Sequence, residues 1–172
     1  METDIVTELI VLSIFPAVVA FAGAMDFFTM KIPNRVSLAL VAAFFIIAPF
    51  SNLGMAGIAS HAGAGLLVLS VTIGMFFLGW MGGGDAKLVS GVALWVGFEQ
   101  LLDYLLLVGV AGGVLAVVLL AFRGLPLPAV AARQEWVLRL HDRKGGIPYG
   151  IALAVSALVI YPHAAWLATL AG

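Results

Sequence analysis

The sequence contains no cysteine and little charge, and both shortages restrict the kind of protein that it encodes. Without cysteine, the chain has no disulfide bond, no thiolate zinc site and no cysteine nucleophile. Only 10% of its 172 residues are charged, whereas 63% are hydrophobic, and the mean hydropathy is +1.17. A soluble domain of this length does not require so much apolar surface, so the composition indicates an integral membrane protein.

The chain also lacks a basic N-terminus and an excess of positive charge. Its formal net charge is −1, which gives no reason to predict a nucleic-acid partner. No basic residue precedes Lys31, whereas Glu2, Asp4 and Glu8 are acidic. A secretory signal peptide has the opposite charge order, so we interpret the first apolar stretch as a retained membrane span.

Six apolar segments are present, and their apolar residues are continuous rather than alternating with polar ones. They cover roughly 5–25, 36–50, 62–80, 87–99, 101–122 and 147–170. Continuous runs indicate helices rather than a β-barrel. We therefore predict a single all-α domain over residues 1–172, a polytopic membrane helix bundle of about six transmembrane helices. The fourth segment is short for a span, and a five-span fold with a re-entrant fourth segment is the alternative.

The distribution of charge favours six spans over five. With six spans, all eight basic residues lie on one side with four acidic residues, and the other side carries five acidic residues. A five-span chain would separate Lys87 from the basic residues within 123–144. Because positively charged loops remain in the cytoplasm, the six-span topology places both termini outside.

The segment 123–146 is the one long polar connection in this topology. Within it, residues 129–140 combine the apolar Val137 and Leu140 with the basic Arg139. This pattern predicts a cytoplasmic amphipathic loop. It forms either a short basic helix on the inner leaflet or a solvated connection.

Two carboxylates, Asp26 and Asp85, lie at the cytoplasmic ends of apolar segments and at similar depth. Asp26 follows the first apolar run, and Asp85 comes directly after the glycines of residues 82–84. Ionisable groups near the hydrocarbon usually face a cavity or a partner. Two adjacent carboxylates share a proton, so that one activates a water while the other polarises a peptide carbonyl. This is the chemistry of an aspartic peptidase, and the glycines leave room for a substrate.

Each aspartate also has a purely structural interpretation. Asp85 is placed to act as the N-cap of the fourth helix after a glycine turn. Asp26 is placed to act as an interfacial anchor paired with Lys31. Their occurrence on one side of the membrane, beside a glycine run, favours a functional pair.

Other chemistries fit this sequence less well. The motifs H-E-x-x-H and G-x-S-x-G are absent. The predicted topology puts His61 and His163 outside and His141 inside, so they cannot share a metal ion, and we predict neither a metal nor a cofactor. A non-enzymatic component, such as a proton-linked transporter subunit with two relay carboxylates, is the alternative function. A transporter is expected to show broken helices in both halves, whereas one glycine-broken site is visible here.

The arrangement of motifs resembles that of the type IV prepilin leader peptidases. Asp26 is followed by Ile32-Pro33-Asn34, then by a span, and later by Gly82-Gly83-Gly84-Asp85-Ala86-Lys87. The Gly-x-Gly-Asp core of this pattern is shared with presenilin-type intramembrane peptidases. In addition, Ile147-Pro148-Tyr149-Gly150 resembles the start of the family's last helix, so the resemblance covers nearly the whole chain.

The resemblance implies an aspartic endopeptidase of the bacterial inner membrane, with its active site facing the cytoplasm and with Asp26 and Asp85 as the catalytic pair. The motif and substrate-binding residues that it implies are Gly82, Gly83, Gly84, Lys87, Pro33 and Asn34. Lys87 either biases the local charge toward an ionised aspartate or extends toward lipid headgroups. We favour the second, because position i+2 on a helix points away from Asp85. We interpret the Pro33-Asn34 pair as a stop and an N-cap for the second helix.

The partners implied are prepilin substrates and the lipid bilayer, and the oligomeric state is not predicted. Long members of the family carry a cytoplasmic domain with paired cysteines, which is linked to N-methylation of the new pilin terminus. This chain contains no cysteine. It therefore resembles the short form found with tight-adherence (Flp-type) pili, and methyl transfer is not expected.

Overall fold

The computed structural model describes residues 2–51 and 53–164, and the regular secondary structure in this part of the chain is all helical, without a β-strand. The helices are α1 (Glu2–Thr29), α2 (Asn34–Ile47), α3 (Gly54–Phe77), α4 (Gly83–Gly124), α5 (Glu135–His141) and α6 (Tyr149–Ile160). α3 and α4 are long and apolar enough to cross a membrane. The predicted all-α membrane bundle is therefore confirmed.

The predicted apolar segments correspond to helices, with differences at their ends. α3 begins at Gly54, eight residues before the predicted start at 62, because small and polar residues lower the hydropathy of a turn that is still helical. α4 contains both the fourth and the fifth predicted segments. α6 begins within the sixth segment, and the end of that segment lies outside the described residues.

A single residue, Gly97, interrupts α4. Its φ of 67° and ψ of 179° lie in a region that is nearly restricted to glycine. His61 of α3 lies against this break, and its Nδ1 is 2.9 Å from the carbonyl oxygen of Leu94. The imidazole thus bonds a carbonyl that would otherwise lose its helical partner at the break.

The part of α4 before this break, residues 83–96, is called the first limb. It runs in the same direction as α2, since Gly84 lies against Ile32 and Gly91 lies against Leu40. The part after the break, residues 98–124, is called the second limb.

The second limb runs antiparallel to α6. Gly112 lies against Tyr149, and the hydroxyl of Tyr104 donates a hydrogen bond to the carbonyl oxygen of Leu153 at 3.5 Å. The order of these two contacts along each helix fixes the relative direction.

α6 is in turn antiparallel to α1. Because the second limb of α4 is antiparallel to α6, this relation determines the side of the bundle on which α4 ends. Phe15 stacks on Tyr161 near one end of the pair, and Asp26 bonds Gly150 near the other. The two limbs of α4 consequently run in opposite directions. The first limb starts on the side of the bundle where Asp26 lies, and the second limb ends on that same side.

Replacing Gly97 with alanine is expected to destabilise the protein by about 1–3 kcal/mol, the usual cost of holding a residue with a side chain in this conformation. The new Cβ would also lie 2.7 Å from Cε1 of His61. Thermal unfolding in detergent measures the loss. Gly109→Ala is the matched control in the same helix, because nothing lies within 4 Å of its added Cβ. Equal stability of the two variants would show that Gly97 is not needed for the break in α4.

Aromatic side chains hold four helices together at the end of the bundle away from Asp26. Trp95 is fully buried, and its ring packs against Phe15, Phe44 and Tyr161. Its indole N–H donates a hydrogen bond to the carbonyl oxygen of Leu40 at 2.9 Å. This cluster fixes the first limb of α4 against α1, α2 and the turn that follows α6, and therefore fixes the position of Asp85 at the start of that limb.

The connection between α4 and α6 contains a helix that is shorter than the predicted amphipathic stretch. α5 starts at Glu135, and both Val137 and Leu140 are buried against the rest of the bundle. The guanidinium of Arg139 donates a hydrogen bond to the carbonyl oxygen of Phe28 at 2.6 Å. The buried apolar side of α5, with Val137 and Leu140, therefore packs on protein.

Candidate active site

The predicted catalytic carboxylates, Asp26 and Asp85, line one pocket of about 590 Å³. We call it the aspartate pocket. Its lining residues are Asp26, Met30, Lys31, Ile32, Pro33, Asn34, Gly82, Gly83, Gly84 and Asp85. The fold thus brings together the end of α1, the turn into α2 and the start of α4. These are the places where the sequence motifs lie.

Asp26 is the more deeply placed of the two carboxylates. It is 6% exposed, and its Oδ2 accepts a hydrogen bond of 2.7 Å from the backbone N–H of Gly150. Within the described residues, its partner is therefore a backbone amide at the start of α6 rather than the lysine expected of an interfacial anchor. This contact fixes the orientation of the carboxyl group toward the pocket.

Asp85 lies in the first turn of α4, but it is not the N-cap. That position belongs to Gly82, which has an extended conformation, and no side chain caps this helix end. The capping interpretation of Asp85 is therefore wrong. Its carboxyl group is partly exposed and lines the aspartate pocket.

Each of the three glycines before Asp85 has a neighbour close to the place where a Cβ would lie. A Cβ on Gly82 would lie 2.9 Å from Oδ2 of Asp85, and a Cβ on Gly84 would lie 3.1 Å from Cβ of Ile32. At Gly83 the nearest atom is on the ring of Phe76, at 3.3 Å. A side chain at Gly82 would therefore displace the Asp85 carboxyl group, and at Gly83 or Gly84 a neighbour from another part of the chain would have to move.

The model of the type IV leader peptidase family matches residues 13–117 of the chain. This stretch contains both aspartates, the turn into α2 and the glycine run. The chain belongs to the type IV leader peptidase family. No curated protein and no solved structure matches it.

Membership of the leader peptidase family favours the peptidase interpretation over a transporter subunit. Membership of this family implies prepilin-type substrates. The general class of the chain is therefore a peptidase, with the aspartic mechanism typical of its family.

The structure changes the interpretation of Asn34 and Lys87. Pro33 occupies the N-cap position of α2, and Asn34 is the first helical residue, so Asn34 is not the predicted N-cap. The ammonium group of Lys87 donates a hydrogen bond to Oδ1 of Asn34 at 2.9 Å. Lys87 thus connects the start of α4 to the start of α2, which differs from the expected extension toward headgroups.

Sequence reasoning identified the Ile147–Gly150 segment but not the role of its glycine. Gly150 lies beside Asp26 because a preceding loop is held in place by Arg123, which is 6% exposed. Arg123 donates hydrogen bonds to the carbonyl oxygens of Leu140 and Gly146, each at 2.7 Å. The Pro-Tyr-Gly sequence after a basic loop was the only signal that could have indicated this site.

Proposed function

We propose that this chain is a membrane-embedded aspartic endopeptidase that removes the leader peptide from type IV (Flp-like) prepilins at the cytoplasmic interface. Asp26 and Asp85 are its catalytic pair. The observation that carries the proposal is the shared aspartate pocket, in which two carboxylates from separate helices meet both motif segments of a leader peptidase.

The proposed reaction uses the two carboxyl groups in complementary states. One is ionised and takes a proton from a water molecule, whose oxygen attacks the carbonyl carbon of the scissile peptide bond. The other is protonated and donates a hydrogen bond to the carbonyl oxygen, which stabilises the charge that develops there. The C–N bond then breaks as the amine nitrogen receives a proton, and the leader leaves with a new carboxyl terminus.

The proposed substrate has a short basic leader followed by an apolar helix, and the cut lies where that helix begins. Asp26 lies near the end of α1 and Asp85 lies in the first turn of α4. Both positions match the boundary between a leader and a membrane helix. The lysines and arginines of the predicted cytoplasmic face offer no attraction to a basic leader. That leader is instead held at the membrane by anionic lipid.

Purified protein mixed with a candidate prepilin tests this function through removal of the leader. Because Gly82, Gly83 and Gly84 line the aspartate pocket, we expect a small residue just before the cut to be required. Replacing that residue with a bulky one is expected to stop processing, whereas shuffling the leader at constant charge is expected to leave processing intact. Acceptance of the bulky residue together with failure of the shuffled leader would refute this picture of the site.

The charge distribution predicts the orientation of the protein in the inner membrane. Reporter fusions at either terminus are expected to be active outside, and a reporter inserted in the segment 123–146 is expected to be active in the cytoplasm. Labelling of cysteines introduced at positions 26 and 85 is expected from the cytoplasmic side. A cytoplasmic C-terminal reporter would refute the six-span topology.

A further inference from the structure

A second concavity, which we call the apolar groove, lies beside the aspartate pocket. It has a volume of about 500 Å³, with walls from α2 and α3 and a floor from the first limb of α4. Leu38 and Leu66 on its walls are 68% and 63% exposed. The groove therefore opens sideways, away from the core of the bundle.

The apolar groove and the aspartate pocket meet at a polar junction. Asn34 lines both concavities, and Lys87, which lines the groove, is bonded to Asn34. From Asn34 to Phe45 the groove follows α2 for about 16 Å, which is 11 steps at the helical rise of about 1.5 Å. The groove thus begins where the aspartate pocket ends and continues along the membrane-spanning direction.

We propose that the apolar groove binds the apolar helix of the prepilin substrate and so places the peptide bond before that helix in the aspartate pocket. This inference rests on the proposed function. A substrate cut at the start of its helix needs a surface for that helix directly next to the catalytic groups. The groove provides such a surface, because it shares Asn34 with the aspartate pocket.

A buried polar atom beside the groove favours a helix over a lipid chain. Ser37 lines the groove and is 7% exposed, and its buried hydroxyl has no hydrogen-bond partner within the described residues. An unpartnered buried hydroxyl is costly, and rotation toward the groove would let it donate to a backbone carbonyl of a protein occupant, whereas a lipid tail offers no acceptor.

The test fills the groove and compares two substrates. In proteoliposomes, Leu38→Trp and Leu66→Trp are expected to slow processing of a full-length prepilin about tenfold, the effect of losing one good apolar contact. Cleavage of a soluble peptide that contains the leader and only the first mature residues is expected to stay at the wild-type rate. Leu120→Trp, which replaces a residue 63% exposed on the second limb of α4, is the matched control and is expected to process both substrates normally.

The outcomes separate the groove from the function. Unchanged processing in both groove variants would overturn the proposal and assign the groove to lipid. Equal loss with both substrates would also overturn it, because the substitutions would then act on the catalytic site. If the wild-type protein cleaves neither substrate, the proposed function fails, and the groove proposal fails with it.

Photo-crosslinking provides a measurement that does not require cleavage. A photoreactive residue at position 66, in the Asp26→Asn background, is expected to crosslink to the apolar helix of the prepilin, and the same residue at position 120 is not. Absence of the crosslink at 66, or equal crosslinking at 120, would overturn the proposal.

Discussion

Replacing either Asp26 or Asp85 with asparagine is expected to abolish leader removal while leaving the protein folded and inserted. Asparagine has nearly the shape of aspartate, but it can neither take a proton from water nor donate a carboxylic proton to the carbonyl. General acid–base catalysis by a positioned group is worth about 10²–10⁴-fold, so each variant is expected to lose at least that much. Quantitative cleavage of a purified prepilin in detergent measures the loss.

The two substitutions are not expected to be additive. Residues that act as one catalytic unit lose nearly the whole effect when either is removed, so the double variant is expected to be about as inactive as each single variant. Asp103→Asn is the control, because this carboxylate is exposed on α4 and does not line the aspartate pocket. Full activity of either single variant would refute the assignment of the pair.

The meeting of the two aspartates could be predicted because the information is local. Each carboxylate directly follows or precedes a strong sequence signal, an apolar run in one case and a glycine run in the other. Charge counting then places both on one side of the membrane, and the structure brings them into one pocket. Residues at the same depth in a membrane have few ways to arrange themselves. A single sequence was therefore sufficient to predict that Asp26 and Asp85 lie close together.

A reversal between the fourth and fifth apolar segments was predicted, but its form, a break confined to Gly97, was not, and the reason is conformational. The residues around it are compatible with a continuous helix, and a single glycine is a weak signal. The positive φ of Gly97 reverses the chain without a loop. His61 of α3 bonds the carbonyl oxygen of Leu94 at the break. That histidine is far away in the sequence, so no local pattern could show its role.

The packing of α5 on protein was not predicted for a related reason. An amphipathic pattern shows that one side of a helix is buried, but it does not say whether lipid or protein covers that side. Here Trp136 of α5 packs on Phe27 and Phe28 of the distant α1. The buried guanidinium of Arg123 bonds the carbonyl oxygens of Leu140 in α5 and of Gly146 in the following loop. The position of Asn34 was misjudged as well, because a proline with extended backbone occupies the N-cap position itself.

Replacing Gly150 with alanine is expected to lower the catalytic rate about 100-fold, the typical cost of displacing a reacting group by about 1 Å. An added Cβ would lie 2.8 Å from both Cβ and Oδ2 of Asp26, so the carboxyl group or the start of α6 must shift. The same shift would disturb the 2.7 Å hydrogen bond from the Gly150 amide. Gly150 does not itself react, so we regard it as a residue that positions Asp26.

Measuring kcat and KM beside thermal stability separates a loss of positioning from a loss of folding. Alanine is favoured over glycine in a helix by about 0.5–1 kcal/mol. Any lower stability of Gly150→Ala would therefore come from the contact between the new Cβ and Asp26. Gly113→Ala is the matched control, since nothing lies within 4 Å of its added Cβ, and it is expected to retain activity. We expect Gly150→Ala to reduce kcat with little change in KM for the prepilin, because the substrate surfaces are untouched. Wild-type kcat in this variant would show that Asp26 does not depend on α6 for its position.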